Sequence, residues 1–309
     1  MNKSVFPQPI IQGKDVIFMS KIKIMTDSAS DIDTKLADEY GVCVLPFTVV
    51  IDGKEYVDGI DFTPDEFYEK MASCTDFPKT SQVRPDQFAE KYEQFYNEGI
   101  KDLIYVSISS TGSSTYNNAL KSRDEFYENH PEAKDKFKIT VIDSLNYTFT
   151  YGYPVIEAAA KAARGCSAEE IIAFIEEWVS CTEVHFVSYT LDYVKRSGRV
   201  SAGAAFMGEL LGLKPIISII DGDSKVTEKV RGEKAIIPKL IEISKNSMIP
   251  QTPYILLEGC LPDEAAAFKK EITKAVGYPP ERTVKIGSTI ASHAGPKIIG
   301  IVIKGQRRR

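Results

Sequence analysis

The stretch DLIYVSISSTGSSTYNNALKSRDEFYENH, residues 102–130, runs from an apolar segment through a loop crowded with hydroxyls into a helix-like tail. The apolar start reads as a strand and the tail as an amphipathic helix, so the unit is strand, loop, helix. Seven of the nine positions from Ser107 to Thr115 are serine or threonine. A helix N-cap needs one such side chain to accept from an orphan backbone N–H, and a second can bond to the loop. Seven exceed that need, and the surplus points to a ligand.

The same alternation extends in both directions. Upstream lie KIKIMTDS, DIDTKLADEYG, VCVLPFTVVIDG, PDEFYEKMAS and RPDQFAEKYEQFYNEG; downstream lies FKITVIDS. Strands alternating with amphipathic helices predict a mostly parallel sheet with helices on both faces. From about Ser167 a second region begins with the helical AEEIIAFIEEWVS and the strand-like VHFVSYT. The hairpin signal KPIISIIDGDSKVTEKVRG, the helix EKAIIPKLIEISKN and a strand, helix and strand to Ile303 complete it. The expected architecture is α/β in two lobes, residues 21–166 and 167–306, the second with its own sheet, and a cleft between them. Residues 1–20 read as an N-terminal extension outside the fold. Ligands of open α/β sheets bind beyond the carboxyl ends of the strands, so Thr26-Asp27-Ser28, Ser109-Ser110 and Asp143-Ser144 should converge on one site. Taken singly, Asp27, Ser28, Asp143 and Ser144 read as caps of the helices that follow.

Composition narrows the function classes. The 309 residues carry a formal net charge of −5 and a pI of about 5.5, which supplies no cationic field for nucleic acid or anionic membrane. A DNA-binding regulator is further disfavoured by the lack of a basic recognition helix. Five cysteines are widely spaced, with no C-x-x-C pair or histidine cluster; reduced thiols, no metal and no cofactor are expected. The most apolar stretch, Ala202 to Ile220, is interrupted by Glu209, Lys214 and Pro215 and is no membrane span. The run Val16 to Met19 is too short for a signal-peptide core, so a cytoplasmic location is expected.

A strand leading through small polar residues into a helix offers free backbone N–H groups and a positive dipole end to an anion. The loop lacks both G-x-x-x-x-G-K-[ST] and G-x-G-x-x-G, which argues against a nucleotide. G-x-S-x-G is also absent, yet a serine hydrolase or thioesterase using Ser113, His293 and Asp143 stays as the alternative reading. Hydroxyls without a fixed cation suit a carboxylate, because a buried charge needs several donors. A second hydroxyl cluster, PKTSQVRPDQF at 78–88, reads on its own as a turn with an N-cap. His130 and His185 read as structural.

Seven segments occur in an order that resembles the DegV family of bacterial fatty-acid-binding proteins: TDSASD (26–31), PKTSQ (78–82), SISSTGSSTYNNA (107–119), VIDS (141–144), LDYVKRSGRVSAGAAFMGELLGLKPIISIIDG (191–222), VRGEKA (230–235) and IGSTIASHAGPKIIGI (286–301). The resemblance covers nearly everything from Ile22 to Ile303. It implies a two-lobed fold enclosing one long-chain fatty acid, with the carboxylate at Thr80, Ser113 and His293, and Ser81 and Ser114 alongside. It also implies a carrier without catalysis of its own, which presents the acid to a separate fatty acid kinase for acyl phosphate formation. Arg199 and Arg231 would then face the phosphate or the partner. Within SAGAAFMGELLG (201–212), small residues beside Phe206 and Met207 read as a closely packed helix or, in a lipid carrier, as a tunnel wall. The chain departs from the family in having Gly112 where leucine is usual and Ser114 where glycine is usual.

Overall fold

The computed structural model describes residues 21–200 and 212–307. The N-terminal extension and nearly all of SAGAAFMGELLG lie outside the described residues.

The N-terminal lobe is built on a four-stranded parallel sheet. Its order is β2 (Cys43–Leu45), β1 (Ile22–Asp27), β6 (Asp102–Ser107), β7 (Lys138–Asp143). In β6 every residue from Leu103 to Ser107 is buried, which requires cover on both faces. Tyr105 meets Phe88 of α3 (Pro85–Asn97) edge-on at 5.1 Å. Helix α4 (Thr115–Asn129) lies on β7, α5 (Phe149–Ala163) along β1 and α6 (Ala168–Cys181) along α5 and β6. Helix starts follow local chemistry: Ser167 and Glu170 form a capping box for α6, and Pro85 occupies the first turn of α3.

Two segments differ from the sequence reading. VCVLPFTVVIDG is two strands rather than one, because Pro46 has no N–H to donate to a ladder. Strand β2 stays in the parallel sheet, while β3 (Thr48–Ile51) pairs antiparallel with β4 (Lys54–Val57) and β5 (Lys79–Ser81) in a separate sheet. PKTSQ is thus an edge strand, with Thr80 opposite Val49, rather than a turn with a cap.

The second sheet has six strands in the order β10 (Asp223–Arg231), β9 (Leu213–Ile220), β8 (Thr182–Ser188), β13 (Ile298–Lys304), β11 (Ile255–Glu258), β12 (Arg282–Lys285). The β9–β10 hairpin turns at Asp221 and Gly222, both at positive φ (52° and 79°), which gives the tight two-residue connection the sequence signalled. Side chains alternate between two cores. Val184, Phe186, Ile219, Leu257 and Ile298 face the N-terminal lobe. Val187, Ile216, Leu256, Ile299 and Ile301 pack with Leu240 of α8 (Ile236–Ser247) and Phe268 of α9 (Pro262–Val276). No helix of the described residues is long and apolar enough to cross a membrane.

The lobes are fastened at α10 (Ser288–Ala294). The buried Asp58 carboxylate accepts from Ser288 Oγ (2.5 Å), Thr289 Oγ1 (2.7 Å) and, from its own lobe, Ser28 Oγ (2.8 Å). Asp31 Oδ1 accepts the Gly287 N–H at 3.0 Å, and Tyr68, on α2 (Pro64–Ser73), donates its hydroxyl to the Ile286 carbonyl at 2.8 Å. Replacing Asp58 by alanine leaves three hydroxyls without their acceptor, and a buried donor so stranded costs on the order of 1–3 kcal/mol. Asp58→Ala should therefore lower the unfolding free energy by about 3 kcal/mol in denaturant titration. An unchanged midpoint would show that the clamp does not hold the lobes.

Candidate functional site

The strand tips converge, but their acids do not cap helices as the sequence reading expected. Asp27 is fully buried and accepts from Tyr151 Oη (2.6 Å), Tyr105 Oη (2.8 Å) and the Ile108 N–H (3.0 Å). Burial raises its carboxyl to about 6, opposed by these hydrogen bonds. Asp143 Oδ1 accepts from the N–H groups of Ser110 (3.1 Å) and Leu145 (2.9 Å). Ser28 bonds Asp58 and the Phe47 N–H, and Ser144 bonds Asn146. The physical reason is adjacency: the neighbouring β6 tip, the turn itself and side chains packed over the tips supply partners nearer than the first turn of each strand's own helix.

Three of the loop hydroxyls are structural. Ser109 and Thr111 share a bond of 2.8 Å, and Thr111 donates to the Gly222 carbonyl at 2.9 Å, which ties the loop to the β9–β10 hairpin. Thr115 is buried and accepts from the Val83 N–H at 3.3 Å. Its hydroxyl shares a bond of 2.9 Å with Ser113 Oγ, in which either can donate, and its N–H donates to Ser113 Oγ at 3.2 Å. Ser113 Oγ thus belongs to one short hydroxyl network with Thr115 while lining the cavity.

Across the cleft, Thr80 Oγ1 and His293 Nε2 lie 2.8 Å apart. Burial, aided by the Arg199 guanidinium, lowers the His293 imidazole to about 4, so the ring is neutral at pH 7. With the proton on Nε2, His293 donates to Thr80 and releases the threonine proton toward the cavity.

These groups border a cavity of about 320 Å³. Val184, Phe186, Ile219, Leu257 and Ile298 form its apolar floor, and Thr80, Ser113, Ser114 and His293 its polar end. Arg199 also lines it while reaching solvent. Ser81 is not in the wall, because strand alternation turns it away from Thr80's side. Arg231 is not brought to the site either. It is exposed at the far end of β10 from Ser224, which lines the cavity; seven residues of strand separate them by roughly 23 Å. A second concavity, of about 1020 Å³, lies along the fastening of the lobes and is walled by Asp31, Asp58, Asp61, Arg282 and Lys285. Its charges would be desolvated by an apolar ligand, so it does not suit an acyl chain.

The hydrolase relay is not assembled: His293 Nε2 meets Thr80, Ser113 meets Thr115, and Asp143 Oδ1 is engaged by two backbone N–H groups. The sequence reading missed Tyr147 and Thr148, which also line the cavity. The available signal was their place just after VIDS, in the turn following a strand expected to reach the site.

A family profile described as "Uncharacterised protein, DegV family" matches residues 21–305. A DegV domain-containing protein of Caldanaerobacter subterraneus is 36% identical over 287 residues, covering 92% of this chain and 98% of its own length. The structure is similar to that of a fatty-acid-binding DegV family protein from Thermus thermophilus, with a TM-score of 0.79, 30% identity, and 92% and 99% of the two chains covered. A stearic-acid-binding protein from Eubacterium ventriosum aligns with a TM-score of 0.80 and 26% identity, covering 92% of this chain and 98% of its own. Sequence profile, relatives and fold agree over nearly the whole chain, which belongs to the DegV family.

Proposed function

We propose that the protein binds one long-chain fatty acid in the 320 Å³ cavity and presents it, in the cytoplasm, to a separate fatty acid kinase that forms the acyl phosphate. The carboxylate sits at Thr80, Ser113, Ser114 and His293, with Ser81 beyond the first ring of contacts. The observation that carries this reading is an apolar cavity bordered at one end by the hydroxyls of Thr80, Ser113 and Ser114 and by the uncharged His293, with no lysine among the described residues of its walls. Neutral donors hold a carboxylate and still accommodate the larger acyl phosphate, whereas a fixed lysine would oppose release. The kindred fatty-acid-binding proteins of Thermus thermophilus and Eubacterium ventriosum support the same ligand class.

Lipid extracted from the purified protein and analysed by mass spectrometry should contain a long-chain fatty acid. At about 0.8 kcal/mol per buried CH₂, some fourteen methylenes give roughly 11 kcal/mol before association costs. Ser113→Ala and Thr80→Ala should each weaken uptake by the delipidated protein about ten- to a hundredfold, the loss of one donor to a desolvated anion. Absence of saturable uptake by the delipidated wild type at any chain length would sink the reading.

The neutral His293 carries a pH signature. Its folded value of about 4 lies below the 6.5 of an unconstrained histidine, so between those values the unfolded chain binds the extra proton. Stability contributed by this group is complete above about pH 6.5 and falls as pH drops toward 4, by up to about 3 kcal/mol. Delipidated wild type should therefore lose stability relative to His293→Gln across that window. A pH-independent difference between the two would contradict a buried, neutral imidazole.

Arg199, at the cavity and in solvent, is placed to offset the charge of an incoming phosphoryl group. Arg231 is exposed and remote from the carboxylate, which leaves it a partner-facing role only. Loaded with labelled fatty acid and given kinase and ATP, Arg199→Ala should form acyl phosphate at least about tenfold more slowly while keeping its lipid. Arg231→Ala should lose kinase association, and acyl phosphate formation with it, while keeping its lipid. Wild-type phosphorylation by both variants would remove the assignment.

A further inference from the structure

The turn from Ser144 to Thr148 joins β7 to α5 and contains two non-glycine residues at positive φ, Leu145 at 54° and Thr148 at 58°. For a β-branched threonine that conformation is strained. The strain is not explained by helix capping, since Thr148 occupies the N-cap of α5 without making a side-chain cap bond. Its hydroxyl is buried with no partner among the described residues. What the turn does is carry Tyr147 into the cavity wall.

The Tyr147 ring lies directly over Gly112. A Cβ built on Gly112 would stand 2.4 Å from Tyr147 Oη and 2.6 Å from its Cε1, so the ring fills the volume that any side chain at 112 would occupy. The phenol has no short protein acceptor among the described residues. Its nearest is Thr111 Oγ1 at 3.4 Å, too far for a good O–H···O bond. Thr111 is meanwhile occupied at shorter range by Ser109 (2.8 Å) and by the Gly222 carbonyl (2.9 Å). A donor with an uncommitted proton therefore faces the cavity beside Gly112, the immediate neighbour of Ser113.

We propose that Tyr147 donates its phenolic proton to the acid head of the bound lipid, and that Gly112 provides the space in which its ring is seated. The inference rests on the fatty-acid reading above and extends it: the turn selects a long-chain acid over a long-chain neutral molecule of the same length. Thr111 and Ser109 hold the loop, and Tyr147, seated against Gly112, adds a donor beside Ser113 in the same cavity wall.

The test measures hexadecanoate and hexadecan-1-ol binding to delipidated protein by calorimetry. Tyr147→Phe keeps the ring and removes the donor, so hexadecanoate should bind roughly tenfold more weakly while hexadecan-1-ol changes by less than about twofold. Gly112→Ala meets only the movable end of a side chain, so it should fold and displace the ring. It should show the same acid-selective loss, and the double variant should be no worse than either single one, because both changes remove one interaction. Wild-type hexadecanoate binding by Tyr147→Phe overturns the proposal, as does an equal loss of acid and alcohol, which would make the ring mere packing. If the wild type takes up no fatty acid of any chain length, the fatty-acid reading falls and this inference with it; if the wild type binds hexadecanoate and Tyr147→Phe binds it equally, this inference falls alone.

Discussion

One buried carboxylate governs the geometry of the molecule. Asp58 gathers hydroxyls from Ser28 in its own lobe and from Ser288 and Thr289 at the start of α10. A carboxylate removed from water is tolerable only when its lone pairs are met by donors, so the start of α10 has little freedom to drift. The same short helix carries His293 in its last turn, against Thr80 of the small sheet. The contact that joins the lobes and the contact that forms the polar end of the cavity are thus opposite ends of one rigid element. Negative charge at the first turn also matches the helix dipole.

Electrostatics divide the site into a neutral front and an acidic back. Facing the cavity are hydroxyls and an uncharged imidazole; behind the loop sits Asp27, held by two tyrosine hydroxyls and the Ile108 N–H. Its carboxyl is raised by burial while His293 is lowered by the same cause, which brings both groups toward their uncharged forms. Arg199 supplies the cation at the opening.

Much of this was legible in the sequence because it depends on period. Alternating strands and helices gave the parallel sheet, Asp221-Gly222 gave the hairpin, and the density of hydroxyls marked the loop. The partners of those hydroxyls were not legible, since Thr115 with Val83 and Thr111 with Gly222 are contacts between segments distant in the chain. Capping was the wrong inference for Asp27 and Asp143 for the same reason: local rules compare a residue with its own helix and ignore the next strand. Pro46 was visible and its consequence was not, because a proline ends a strand without saying which sheet the continuation joins. Thr80 and His293 are 213 positions apart, and only the family resemblance linked them beforehand. Ser81 and Arg231 show its limit, as motif membership did not say which side of a strand, or which end, a side chain occupies.

The central strands of the six-stranded sheet, buried on both faces, have a corollary for sequence change. Along β8 and β13, adjacent residues serve different masters: Phe186 and Ile298 line the cavity, while Val187 and Ile299 belong to the packing against α8 and α9. Because the pleat separates them, substitutions at one set can change the depth and curvature of the chamber without disturbing the other. The shape of the chamber can therefore vary at alternate positions of a strand whose remaining positions are fixed by packing alone.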